Sequence, residues 1–96
     1  MSMGPEWLSF LADEPPPAFR RRLVVVVPGG ERAYIATEWR DALVVVERGE
    51  LELESLGGTR VRFGAGSVLW LAELPLRTLR CTSAEPAVLA AVWRRR

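Results

Sequence analysis

The stretch from Asp41 to Leu71, DALVVVERGELELESLGGTRVRFGAGSVLWL, limits what this chain can fold into more than any other part of it. Leu51 and Leu53 alternate with Glu50, Glu52 and Glu54. Beyond Leu56, Gly57 and Gly58, Val61 and Phe63 alternate with Arg60 and Arg62. Side chains along a strand point to opposite faces in turn, so the two halves read as a hairpin with one charged and one apolar face. A three-residue loop sets its register. Glu54 meets Arg60 and Glu52 meets Arg62 on the wet face, while Leu53 meets Val61 and Leu51 meets Phe63 on the dry one. Each cross-strand pair contributes about 0.2–1 kcal/mol. A slip of one residue would bury the charges, so the pairing is specified from both faces. Upstream, Leu43 to Val46 is continuously apolar, as expected of a strand covered on both sides.

The rest of the chain supplies short strands around this centre. Leu23 to Val27 is the first strong one, and Pro28, Gly29 and Gly30 signal a turn. Arg32 to Trp39 is read as a second strand, followed later by Ser67 to Ala72, Arg77 to Thr82 and Ala87 to Arg94. About eight short strands with almost no helix favour a sandwich or barrel over a parallel sheet, which needs helical crossovers of a dozen or more residues. At the amino end, Trp7, Phe10 and Leu11 stand at helical spacing within residues 5–12, and Pro15, Pro16 and Pro17 then stop the helix. The expected organisation is a helix and proline-rich connector over residues 1–19 and one β-barrel domain over residues 20–96.

Composition narrows the chemistry. The 96 residues contain no histidine and one cysteine, Cys81, so neither an internal disulfide nor a histidine-based zinc site can be built. Without a histidine to act as its base, Cys81 reads as a small buried hydrophobe rather than a nucleophile. All thirteen basic residues are arginine, and lysine, asparagine and glutamine are absent, a usage expected of a GC-rich bacterial genome. The net charge of +1 gives no reason to expect a polyanionic partner. Arg20, Arg21 and Arg22, and Arg94, Arg95 and Arg96, are brief runs without interleaved aromatics, read as a solvated strand start and a tail rather than a nucleic-acid surface. Gly57, Gly58, Gly64 and Gly66 are spaced for turns, not for a phosphate loop. No secretory signal is visible, and the longest apolar run is far shorter than the roughly 20 residues that span a bilayer. A cytoplasmic protein with no membrane or nucleic-acid partner is expected.

The string VVVERGELELESLGGTRVRFGAGSVLWLAELPLRTL, within a match over roughly residues 22 to 93, resembles the cupin superfamily. In that family the first motif ends in an acidic residue, six variable positions and a glycine, and the second begins with a glycine before a strand. Gly49 and Gly66 stand at those anchors. The resemblance implies an all-β fold, a small cupin jelly-roll barrel or sandwich, here with a short N-terminal helix, a metal in the barrel mouth and a twofold dimer. The metal ligands are missing, however. Ala42 stands where the glutamate would be, and Ile35 and Thr37, or one residue later Ala36 and Glu38, stand for the paired histidines. In the second motif Ala72 takes the proline position, Leu74 the glycine, Arg77 the histidine and Cys81 the asparagine. A guanidinium has no lone pair to offer and repels a cation. No metal and no cofactor are therefore expected.

On that alignment Arg77 and Glu38 face the mouth, where an arginine fork would grip a carboxylate or phosphate. The expected ligand-binding residues are Arg77, Glu38, Thr37, Trp39 and Trp70, and the candidates for acid–base work are Glu38 and Tyr34. The plainer alternative has Arg77 paired internally with Glu38, and the tryptophans in the core. Expected function is a metal-free cupin that binds a small organic ligand, an anion among the options, or plays an accessory role. One alternative is a metal-independent isomerase, lyase or cyclase; another is a ligand-sensing module acting with a separate regulator. Because Leu43 and Val45 point outward if Val44 and Val46 point in, an apolar outer face results, and a homodimer would cover it.

Overall fold

A computed structural model describes residues 19–94. The helix read over residues 5–12, the three prolines and the last two arginines lie outside the described residues. Eight strands run in the order β1 (Phe19–Val26), β2 (Glu31–Ala33), β3 (Ala42–Arg48), β4 (Glu50–Ser55), β5 (Arg60–Gly64), β6 (Val68–Trp70), β7 (Leu76–Cys81) and β8 (Ala87–Arg94). They form two four-stranded sheets with strand orders β1-β8-β3-β6 and β2-β7-β4-β5. Every pairing is antiparallel. Successive strands change sheet or turn back in a hairpin, which is the double Greek key of a jelly roll.

The core lies between the sheets and is filled by side chains. Val24, Trp39, Val44, Val46, Leu51, Leu71, Leu79, Leu89 and Ala91 form one buried cluster, with Phe63, Leu69, Leu76 and Trp93 packed against it. These residues come from alternate positions, so the period-two pattern of the sequence is also the inward-facing list. On the outer side of the first sheet, Val45, Ala90 and Val92 make a second small cluster with Phe19. The continuous apolar run of β3 is thus explained: Val44 and Val46 serve the core, and Val45 serves the other face.

The hairpin has the expected register, with Leu51 opposite Phe63, Glu52 opposite Arg62, Leu53 opposite Val61 and Glu54 opposite Arg60. Two of its residues differ in burial from the expectation. Glu52 is only 5% exposed, because β4 is an inner strand and places it between Arg62 on β5 and Arg80 on β7. Val61 is 48% exposed, because β5 is the sheet edge. The strand read over Arg32 to Trp39 is corrected: β2 stops at Ala33 and Ala36–Trp39 forms a 3-10 turn. The chain must leave the second sheet at β2 and enter the first at β3, and an extended segment cannot make that crossing.

Gly49 is demanded by the fold on two counts. Its φ is +72°, and a Cβ there would lie 2.4 Å from the Pro86 carbonyl oxygen. Among the described residues no helix is long and apolar enough to cross a membrane.

Candidate functional site

The 3-10 turn closes one end of the sandwich and presents Glu38 and Trp39. Trp39 is fully buried and plugs the interior, whereas the Glu38 side chain is 17% exposed. Glu38 Oε2 accepts a hydrogen bond from Arg32 Nη2 and lies 3.5 Å from Arg22 Nη2. Arg22 belongs to β1, the edge of one sheet, and Arg32 to β2, the edge of the other. One carboxylate therefore ties the two sheets together where no ladder can. Arg22 also sits 5.9 Å from the Trp39 ring centroid and 5.8 Å from that of Trp93, and Arg32 lies 6.0 Å from Trp39. Cations over indole faces are attracted by the ring quadrupole, so both arginines are held by aromatic as well as acidic partners.

The residues singled out from the sequence are not gathered at one point. Arg77 is exposed, and its Nη2 donates to the Leu56 carbonyl oxygen at 3.0 Å, across to the β4–β5 loop. It lies at the register shift between β4 and β7, where two residues of β7 oppose a single step of β4. Glu38 is ion-paired with Arg22 and Arg32 instead. Tyr34 donates its hydroxyl to the Leu71 carbonyl oxygen at 2.6 Å, which pins β2 to the opposite sheet. Thr37 is exposed, Trp39 is core and Trp70 is 54% exposed on the outer face. Among the described residues no group of three or more acidic, histidine or cysteine side chains is placed to hold a metal ion. The one carboxylate at the ligand positions, Glu38, already has an oxygen taken by arginine. This donor set does not fit the metal that the fold would otherwise hold.

What the structure does bring together is a set of arginines at the same end. A cavity of about 370 Å³ is lined by Arg20, Arg40, Arg94, Trp93 and Asp41. The three arginines come from β1, from the link between the 3-10 turn and β3, and from β8. Among the described residues none of the three has an ion-pair partner. A second cavity of about 300 Å³ adjoins it through the shared Arg40 and Asp41 and reaches Trp70 and Glu73. By contrast, the three arginines around a cavity on the outer face of the second sheet stand beside the glutamates of β4, with Arg62 Nε 3.1 Å from Glu52 Oε2.

Sequence reasoning passed over this end because Arg20 and Arg94 stood in runs read as solvated. In space the aromatic that seemed missing is Trp93, which pairs with Arg20 across the β1–β8 ladder. The signal was present in the alternation at both termini of the barrel, but only the antiparallel pairing of first and last strands joins them.

No protein-family model and no curated protein matches this chain. Solved structures do. A cupin 2 conserved barrel domain protein from Salinispora arenicola is 26% identical, with 84% of this chain and 70% of that one covered and a TM-score of 0.63. The Cupin_2 domain of an XRE family transcriptional regulator from Enterobacter cloacae is 21% identical, over 82% of this chain and 84% of that one, with a TM-score of 0.62. A cupin-2 domain containing protein from Shewanella frigidimarina is 15% identical, over 83% and 74%, with a TM-score of 0.58. The last two carry the fold alone.

Proposed function

We propose that this chain, a β-sandwich of the cupin superfamily, is a metal-free binding domain that holds a small organic oxyanion at the arginine-lined end of the barrel. The observation that carries this reading is the convergence of Arg20, Arg40 and Arg94 on one cavity that Asp41 also lines, with none of the three arginines ion-paired among the described residues. A guanidinium fork matches carboxylate and phosphate oxygens through paired hydrogen bonds, and three of them make an anion the natural occupant. The filled core argues for binding at the rim rather than in the interior. Arg22, Glu38 and Arg32 support the rim by fixing the two sheets beneath it.

The alternatives that need acid–base chemistry are less well served. Glu38 is committed to two arginines and Tyr34 to a backbone carbonyl, so neither of the two residues that the sequence offered for acid–base work is free for it. Self-association is part of the proposal. Leu23 and Val25 are 50% and 55% exposed along the outer side of β1, an eight-residue edge strand, and Val27 just past its end is 61% exposed. A second copy packed by twofold symmetry would cover that ladder with its own.

The test of the anion reading is a thermal-shift titration of the full chain with phosphate, sulfate and a dicarboxylate, repeated for Arg40→Gln and Arg94→Gln. Stabilisation of the wild type that is lost in both variants is expected. An equal response in wild type and variants would sink the site, and a tightly bound transition metal in the purified protein would sink the metal-free assignment.

A further inference from the structure

The two cavities share Arg40 and Asp41 as lining, and their other residues are chemically unlike. One carries Arg20, Arg40 and Arg94 around Trp93. The other carries Trp70, whose indole is 54% exposed, and Glu73, which has no ion pair among the described residues. Asp41 has an interaction of its own, and the backbones of both Asp41 and Glu73 lie in the left-handed region, with φ of 59° and 60°.

Each cavity selects a different group. Arginine forks suit a compact, doubly charged oxyanion, for which phosphate monoesters are the common small-molecule source. An exposed indole offers a flat face on which a planar ring stacks. An ionised carboxylate accepts hydrogen bonds and cannot donate, so Glu73 favours a ring that carries N–H groups over one that presents only carbonyls. Each cavity, of about 370 and 300 Å³, is of the size that small-molecule sites occupy, and the wall they share at Arg40 and Asp41 sets the two groups a short linker apart.

Resting on the anion reading above, we infer that the ligand is a nucleoside monophosphate with an amino-bearing base, its phosphate among Arg20, Arg40 and Arg94 and its base against Trp70 and Glu73. Phosphate supplies most of the attraction, and the base supplies selectivity.

The experiment is a calorimetric titration of the full chain with inorganic phosphate, ribose 5-phosphate, adenosine monophosphate and a short single-stranded oligonucleotide. Phosphate and ribose 5-phosphate are expected to bind alike, and adenosine monophosphate about tenfold more tightly through the stacked base. Trp70→Ala removes that increment and leaves phosphate binding intact, Trp70→Phe keeps part of it, and Arg40→Gln weakens all the phosphates together. Trp70 is exposed, and unchanged far-UV circular dichroism of its variants separates lost stacking from lost folding. Equal affinity for ribose 5-phosphate and adenosine monophosphate, or no effect of Trp70→Ala, overturns this inference while the anion site stands. Absence of any phosphate binding overturns both. An oligonucleotide that binds more tightly than the monophosphate overturns the small-molecule assignment in favour of a nucleic-acid strand.

Discussion

Single residues decide the geometry at two places. At Gly49 any side chain meets the Pro86 carbonyl and adopts a left-handed backbone, whereas at Gly58, with φ of +92°, no heavy atom lies within 4 Å of a Cβ. Left-handed backbone alone costs a residue with a Cβ about 1–2 kcal/mol. Gly58→Ala is therefore expected to lose about 1 kcal/mol and Gly49→Ala about 2 kcal/mol or more, read from urea midpoints at unchanged slope. Equal losses would show that the Pro86 contact relaxes freely. Glu38 is the second place. Glu38→Gln leaves Arg22 and Arg32 facing each other without a countercharge, and because those arginines are 42% and 36% exposed the loss is expected to be about 1 kcal/mol, shrinking as salt is added. A loss that does not respond to salt would mean that packing, not charge, is what Glu38 provides.

At the scale of the element, the β4–β5 hairpin was legible down to its register, because a charged ladder and an apolar ladder on opposite faces admit one pairing only. Its burial was less legible. Alternation assigns a face, but whether that face is wet depends on the strands beside it, and β7 turns Glu52 from a surface residue into a nearly buried one. Glu52→Gln is expected to cost less than about 1 kcal/mol, since it takes a charge out of a desolvated site and leaves Arg62, 63% exposed, to water. Arg62→Gln is expected to cost about 1–3 kcal/mol, because it leaves the nearly buried Glu52 carboxylate without the guanidinium that hydrogen-bonds it. Thermal denaturation of the two variants checks the order, and the reverse order would remove burial as the cause. The turn over Ala36–Trp39 shows the opposite limit. Ile35, Trp39 and Tyr34 have strand-like composition, and only the need to cross between sheets bends them.

For the whole molecule, exposed Leu23 and Val25 on edge strand β1, with Val27 just past its end, predict self-association. Sedimentation velocity is expected to find a dimer of the wild type and a monomer for Val25→Glu, with little change in melting behaviour of the protomer. A wild type that stays monomeric at tens of micromolar would remove the second copy from the proposal.

By itself the sequence determined the strand count, the hairpin register, the Gly49 and Gly66 anchors and the absence of histidine ligands, because alternation, turn chemistry and composition are local properties. Tertiary structure alone decided that Trp39 fills the interior, that Arg77 caps the Leu56 carbonyl, and that Arg20 and Arg94 meet at one cavity. Those outcomes depend on which distant strands pair: β1 lies beside β8, the first strand beside the last, and no local pattern encodes that neighbour.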